Sequence, residues 1–206
     1  AKGRQTMETH HLKDLGDREV VRFGSNAADP YYQISNFHGV EVKIDGRVYP
    51  SVEHAFQAHL VETPDEYACG GPIGELSESA FLHVGVKTSE LAKKVTYWGR
   101  KANVGILAKM LINKQKKQGL KHAKTAEQCK DIFLDVLRQK YAIPRMRKVL
   151  VNTGNAYILE FDKSAERRFK KGSITRWGGM VKDGQVLGHN QMGALLMQIR
   201  EEIRAA

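Results

Sequence analysis

The sequence predicts an α+β fold: a helix-rich single domain with a few short, mainly antiparallel strands. Apolar residues recur at helical spacing in the second half, with Phe133 and Val136 on the buried face of a helix at 126–141. Asp45-Gly46 separates two alternating segments and predicts a tight hairpin. Strands and helices do not alternate regularly, so no parallel sheet is expected.

Short runs between turn-forming residues define the other elements. The apolar run 20–23 ends at Gly24 and reads as a strand, as does the run 157–161 after Gly154. Ser51 is a good N-cap, so a helix is expected from residue 52. The predicted elements are a strand at 20–23, a hairpin at 41–50, helices at 52–62, 88–97, 102–118, 126–141 and 145–151, a strand at 157–161, and a last helix that Asn190 caps.

The composition fits one domain. With 206 residues, 41% of them hydrophobic, the chain can bury a sizeable core. Residues 1–18 are polar and are expected to be a flexible segment, which leaves 19–206 as the single domain. No apolar run is long enough for a membrane span or a signal peptide. With two cysteines and no zinc-ligand spacing, we expect an intracellular protein, cytoplasmic or nuclear, without a metal or a membrane partner.

The positive charge is concentrated in one part of the sequence. Of the 33 Lys and Arg residues, 16 lie between Lys93 and Lys148, where there are only three acids. A basic block of this kind attracts polyphosphates, either a nucleic acid or a pyrophosphate ligand. The same pattern also fits an ordinary solvated helix face. Interleaved aromatic residues such as Trp98 favour the binding interpretation.

A carboxylate stands at the start of the helix that Ser51 caps. Glu53 would occupy the second helical position, with the amide of Gln57 one turn further along the same face. The positive end of the helix dipole favours an acid there, which explains Glu53 without any function, and it would keep the carboxylate ionised. An ionised carboxylate suits a nucleophile or a base, and Gln57 could fix a substrate hydroxyl or amide.

A glycine-rich loop with a flat aromatic ring follows much later in the chain. It begins at Trp177-Gly178 and runs to Gly188, directly before the last helix. Exposed backbone N–H groups ahead of a helix can bind phosphate, and the flat indole ring can line a pocket for a ring-shaped, sugar-bearing substrate. Glycine loops are also common as plain turns, so this loop alone does not define a site.

Several short motifs, taken in order, resemble the NADAR (YbiA-like) family of N-glycosidases. The resemblance spans about residues 20–204, and an ordered series of motifs is far more specific than any one of them. The motifs are Ser35-Asn36-Phe37, 49–58, Gly99-Arg100, 137–141, 150–154, Ile158-Leu159-Glu160, Trp177-Gly178 and 188–200.

This resemblance implies an enzyme that cleaves N-glycosidic bonds to ribose. Two substrate classes belong to the family: ADP-ribose on the exocyclic amine of guanine in nucleic acid, and phosphorylated ribosyl-aminopyrimidine intermediates of riboflavin biosynthesis. In both reactions the transition state should resemble an oxocarbenium ion, so an ionised carboxylate and a positioned water are the expected tools. No cofactor is expected.

The resemblance also implies roles for individual residues. Glu53 matches the acidic position of the family and is expected to be catalytic. Trp177 would stack on a base or cap the sugar, while Asn190 and the loop at Gly178 would hold ribose or phosphate. The other expected substrate-binding residues are Asn36, Phe37 and Gln57, with Arg22, Arg100 and Lys101 as candidates for the pyrophosphate.

Three functions remain open from the sequence. The basic block favours ADP-ribosylated guanine in DNA or RNA, because a base within a strand needs a positive surface outside the pocket. The free aminopyrimidine ribotide is the alternative, since it needs only a small phosphate site. Two departures from the family, Leu60 and Gly179, suggest an inactive module that binds ADP-ribose or nucleic acid.

Overall fold

The described residues form one α+β domain, which confirms the predicted fold class. The computed structural model describes residues 13–24, 27–61, 63–75, 78–85, 103–121 and 124–206. The predicted helix at 88–97 and the candidates Arg100 and Lys101 lie outside these ranges. Among the described helices, none combines the length and the apolar character that crossing a membrane requires.

Seven strands and seven α-helices are present in the described residues. The strands are β1 (Lys13–Asp14), β2 (Val20–Phe23), β3 (Val42–Ile44), β4 (Arg47–Tyr49), β5 (Tyr157–Glu160), β6 (Met180–Lys182) and β7 (Gln185–Leu187). The helices are α1 (Val52–Ala58), α2 (Glu78–His83), α3 (Gly105–Lys117), α4 (Ala126–Ala142), α5 (Pro144–Val151), α6 (Ala165–Lys170) and α7 (Gln191–Ala205), with 3₁₀ turns at Tyr31–Ile34 and Pro64–Glu66.

Helix α4 lies at the centre of the hydrophobic core. It packs against α1, α5 and α7, and α1 packs in turn against α3. A capping box fixes its start, since Thr125 accepts a hydrogen bond from the Gln128 N–H and donates its own N–H to the Gln128 side chain. The buried face carries the predicted Phe133 and Val136. Burial of such side chains stabilises the fold by about 1.5–3 kcal/mol each, so α4 anchors the helices that surround the site.

The predicted hairpin leads directly into α1. β3 and β4 pair antiparallel, and Asp45 and Gly46 form the turn with φ angles of 50° and 77°. Ser51 caps α1 as expected, because its Oγ accepts a hydrogen bond from the backbone N–H of His54 at 3.2 Å. The helix ends at Ala58 rather than at residue 62. Hydrogen bonds of the 3₁₀ type, such as Leu60 N–H to Gln57 C=O, tighten the chain there.

A parallel strand pair joins the two ends of the domain. β2 and β5 run side by side in the same direction, with Val20 opposite Tyr157 and Phe23 opposite Glu160. The other strand pairs are antiparallel, as predicted: β3 with β4, and β7 with both β1 and β6. The sequence did not predict the parallel pair, because its strands lie far apart in the chain and no local pattern connects them. Its C-terminal edge positions Glu160.

The start of the domain reaches further towards the N-terminus than the expected boundary at residue 18. Within the segment 1–18, residues 13–18 are described: β1 pairs with β7, and Leu15 is buried against Leu159 and Val186. Residues 1–12 lie outside the described part. The described portion of this segment therefore packs on the domain.

Asn190 precedes α7 as predicted, but its side chain does not cap the helix. Its backbone is left-handed, with φ 47° and ψ 42°, and the amide binds β5 instead. Nδ2 donates to the Ile158 carbonyl at 2.8 Å, and Oδ1 accepts from the Glu160 N–H at 3.0 Å. This pair of bonds fixes the end of β5 to the start of α7.

Substitution of Gly193 by alanine should destabilise the protein by about 1–3 kcal/mol, as overpacking typically does. A Cβ there would overlap the carbonyl oxygen of Ile158 and the side-chain amide of Asn190, and the backbone oxygen cannot give way. The strain should outweigh the roughly 1 kcal/mol that alanine gains over glycine in a helix. Urea unfolding measures the change. Gly24→Ala is the control, since nothing lies within 4 Å of its added Cβ; equal stability of the two variants would contradict the prediction.

Candidate functional site

An open cleft of about 850 Å³ lies at the C-terminal end of the parallel strand pair. Glu160 at the end of β5 and Phe161 directly after it line one side, and Arg22 from β2 also lines the cleft. Trp177 and Gly178 supply another wall. The volume is within the usual range for small-molecule and cofactor sites, so this cleft is the candidate active site.

Glu53 is buried beside this cleft rather than exposed in it, with 5% of its surface accessible. Its Oε1 accepts a hydrogen bond from Gln57 Nε2 at 2.7 Å and lies 3.8 Å from Lys109 Nζ. Burial raises the pKa of Glu53, and the charge of Lys109 and the hydrogen bond from Gln57 oppose that rise only in part. The sequence predicts that the helix end favours the ionised form of Glu53, but burial instead raises its pKa, so Lys109 and Gln57 are the groups that stabilise its charge.

A close contact between α1 and α3 brings Lys109 to Glu53. Gly105, the first residue of α3, donates its N–H to the Phe37 carbonyl at 3.1 Å. A Cβ on Gly105 would lie 2.8 Å from Phe37 Cα and 2.9 Å from Glu53 Cβ, so only glycine permits this approach. Lys109 follows one turn later on the same face of α3. Lys109 belongs to the predicted basic block, and no pattern in the sequence predicts its pairing with Glu53.

Glu160 is a second carboxyl group at the site, and the sequence analysis gave it no role. It lies at the end of β5 and lines the cleft, while its Oε2 is buried without a hydrogen-bond partner among the described residues. Burial raises the pKa of Glu160 to about 7, and the negative charges of Glu53 and Asp162 contribute to the rise. The available signal was an acid directly after the apolar run 157–159.

Trp177 connects the cleft to α1. Its ring packs edge-on against Phe133 at 4.9 Å and Phe56 at 6.4 Å between centroids, and the Arg176 guanidinium lies over it at 4.4 Å. Phe56 lies three residues after Glu53 on α1. The structure therefore brings together the two distant motifs, the capped helix and the glycine loop, that the sequence analysis singled out.

Buried acceptor oxygens surround Glu53. The Asn36 carbonyl accepts the Glu53 N–H at 3.0 Å, while the Asn36 side chain donates through Nδ2 to the Met192 sulfur at 3.5 Å. Among the described residues, no donor reaches Asn36 Oδ1, Gln57 Oε1 or Asn103 Oδ1. Buried acceptors are normally satisfied, so these oxygens suit a ligand that presents several O–H or N–H groups.

The remaining predicted site residues differ in their placement. Arg22 is exposed on the cleft, and Gly178 lines it with no room for a Cβ, which would lie 2.5 Å from the Glu160 carbonyl oxygen. Phe37 contributes its backbone to the α1–α3 contact. Asn190 is 1% exposed and does not line the cleft. Both ends of its side-chain amide bind the backbone of β5. Its contacts support Glu160 rather than a ribose or a phosphate.

Part of the predicted basic block serves the fold. Lys140 is fully buried, and its Nζ donates to the carbonyls of Gln33, Ile34 and Ser35 at 2.7–3.1 Å. Lys114 donates to the His83 carbonyl at 2.6 Å. These cations satisfy backbone carbonyl groups, so fewer cations of the block are free to bind a polyphosphate than its net charge suggests.

The fold and the site define a class: an α+β domain with two neighbouring buried carboxyl groups beside an aromatic cleft. Among solved structures, the NMR structure of the E. coli protein YbiA is similar, with a TM-score of 0.52 and 17% sequence identity. The match covers 96% of this chain and 90% of that chain, so the domain has a YbiA-like fold. No protein-family model and no curated protein sequence matches the chain.

Replacement of Glu160 by glutamine should remove a pH dependence of stability. The folded-state pKa of about 7 lies above the usual 4.5, so Glu160 contributes stability below pH 4.5 that is lost as the pH rises through 7. The unfolding free energy of the wild type relative to Glu160→Gln should therefore fall across this window, by on the order of 3 kcal/mol. Urea unfolding at several pH values tests this, with Glu127→Gln at an exposed helix end as the control. A constant difference between wild type and Glu160→Gln would count against the raised pKa.

Proposed function

We propose that the protein is an N-glycosidase that hydrolyses the bond between ADP-ribose and the exocyclic amine of guanine in nucleic acid. The observation that carries this proposal is the pair of buried carboxyl groups, Glu53 and Glu160, beside a cleft with an aromatic wall and cationic side chains. Two carboxyl groups in different environments are the usual equipment for glycosidic hydrolysis.

The surroundings of the two carboxyl groups assign them different roles. Burial raises both pKa values, and the like charges of the two groups oppose ionisation of both at once. Lys109 and the Gln57 amide stabilise a negative charge on Glu53. Glu160 has no hydrogen bond to its buried oxygen within the described chain. Glu53 is therefore the carboxylate and Glu160 the acid.

The reaction follows from these protonation states. As the bond from the anomeric carbon to the amine nitrogen breaks, its electron pair passes to the nitrogen, which takes a proton from Glu160. The Glu53 carboxylate stabilises the positive charge that develops on the ribose and accepts a proton from the attacking water. The water oxygen forms the new bond to the anomeric carbon. Proton exchange with solvent restores both carboxyl groups.

The groups around the carboxyls suit a phosphorylated ribose and its base. Asn36 and Gln57 have buried acceptor oxygens without partners, which suit ribose hydroxyls, and Trp177 is an aromatic part of the cleft lining, which suits a base. Arg22, Lys163 and Arg168 bring positive charge to the cleft for the pyrophosphate. Arg100 and Lys101 stay predictions for the same group.

The size and charge of the cleft favour the larger substrate. A volume of about 850 Å³ with several cations suits ADP-ribose better than a ribotide with one phosphate. The aminopyrimidine ribotide is the second candidate, because it presents the same amine-to-ribose bond to the same carboxyl pair. Leu60 and Gly179, which suggested an inactive module, have packing roles: Leu60 lies in the core, and a Cβ on Gly179 would lie 2.8 Å from the Leu187 carbonyl oxygen.

Glu53→Gln should abolish hydrolysis while the fold is retained. Loss of a catalytic carboxylate typically costs about 10²–10⁴-fold in rate. The assay measures release of ADP-ribose from a guanine-ADP-ribosylated oligonucleotide, and turnover of the aminopyrimidine ribotide in parallel. Glu41→Gln, an exposed glutamate outside the cleft lining, is the matched control. Turnover of the ribotide alone would move the proposal to the second candidate, and tight ADP-ribose binding without turnover of either would leave only the binding module.

The pH–rate profile should identify Glu160 as the acid. The wild-type rate should fall above about pH 7, where Glu160 loses its proton. Glu160→Gln should lower the rate by roughly 10²-fold and remove this alkaline decline. Rates from pH 5 to 9 provide the measurement. An unchanged alkaline decline in Glu160→Gln would assign the acid to another residue.

A further inference from the structure

We propose that Phe161, Lys163, Arg167, Arg168 and Lys171, which we call the α6 surface, bind the nucleic-acid strand that carries the modified base. This inference rests on the proposed function and adds the surface that the strand contacts outside the cleft. The α6 surface lies outside the basic block 93–148, whose charge predicted nucleic-acid binding from the sequence.

Charge is the first observation. Between Lys163 and Arg176 the chain has six Lys or Arg residues and a single acid, Glu166. Glu166 is occupied by Lys170 and Lys182, at 2.9 and 2.6 Å, and their hydrogen bonds lower its pKa to about 2. Within the described chain, no carboxylate forms an ion pair with the remaining cations of this segment, of which Lys163, Arg167, Arg168 and Lys171 are exposed. Unneutralised cations in one short segment match a phosphate backbone.

Local structure fixes these cations to the surface. Asp162 accepts hydrogen bonds from the N–H and the hydroxyl of Ser164, at 2.8 and 2.7 Å, which sets the turn before α6. Ala165 is buried and anchors the helix, which packs on β7. The Arg168 guanidinium is held by Ser164 Oγ at 3.1 Å. The charged face therefore points away from the core on a defined support.

Continuity with the cleft is the second observation. Phe161, Lys163 and Arg168 all line the cleft that also contains Glu160. A strand that delivered a base to the carboxyl pair would leave the cleft past these residues. The cationic groups would then follow the backbone phosphates next to the modified nucleotide.

Phe161 supplies the third observation. It is 45% exposed, one of two large hydrophobic side chains with such exposure in the described part of the chain, and it shares the cleft lining with Arg22, Lys163 and Arg168. An exposed aromatic ring within a basic groove is a typical stacking platform for a base of single-stranded nucleic acid. Binding of an acidic protein or an anionic membrane would account for the cations of the α6 surface. It would not account for the exposed aromatic ring of Phe161 beside the cleft.

The test is binding of an unmodified oligonucleotide, measured by fluorescence anisotropy at several salt concentrations. Arg167→Ala/Lys171→Ala should weaken binding about tenfold and lower the salt slope by about one to two. Phe161→Ala should weaken binding of a single strand by about tenfold, with a smaller effect on a duplex. The matched pair Lys116→Ala/Lys117→Ala removes two cations from the last turn of α3, in the basic block, and should change affinity by less than twofold. Thermal unfolding checks that all variants are folded.

Three results would overturn the inference. They are unchanged affinity in the α6 variants, a loss confined to the Lys116/Lys117 pair, and binding of anionic vesicles or an acidic peptide as strong as that of the oligonucleotide. Hydrolysis is scored separately with the modified substrate. An unmodified strand needs no turnover, so strand binding without hydrolysis would defeat only the proposed function. Hydrolysis without strand binding through the α6 surface would defeat only this inference.

Discussion

Burial of the Glu53 carboxyl group is the constraint on which the rest of the site depends. A charged group in the interior is costly unless partners compensate it, and here each partner comes from a different part of the fold. Gln57 belongs to α1, Lys109 to α3, and Asn36 to the loop that follows the first 3₁₀ turn. Glu53 is therefore held away from water by the hairpin, the capped helix and the α1–α3 contact together. In that buried position its pKa depends on Lys109 and Gln57.

Close backbone contacts at three glycines hold the elements around the two carboxyl groups together. Gly105 lets α3 approach α1, Gly178 lies against the carbonyl of Glu160, and Gly193 lies against that of Ile158. Asn190 then ties β5 to α7 through both ends of its amide. The backbone of Glu160 is thus held by contacts with Asn190 and Gly178. The two carboxyl groups are neighbours because the α1–α3 contact holds Glu53 and the contact between β5 and the start of α7 holds Glu160.

The sequence predicted the local features well and the long-range ones poorly. The Asp45-Gly46 turn, the Ser51 cap and the helix around Phe133 are encoded by neighbouring residues, and all three are confirmed. The parallel pairing of β2 with β5 was missed, because its partners share no local signal. Glu160 was missed as a site residue for the same reason. The raised pKa of Glu53 could not be predicted either, since desolvation depends on α3, whose approach to α1 is visible only in three dimensions.

The parallel pair of β2 and β5 has a consequence for how the protein is made. Its strands come from opposite ends of the domain, so the cleft cannot form until the ribosome has released the segment from β5 to α7. Contacts between distant parts of a chain also slow folding, because the intervening loop must close first. The carboxyl group of Glu53 gains its neighbour Glu160 only when β5 has joined the domain. The cleft and its pair of carboxyl groups are therefore absent from any chain that ends before β5.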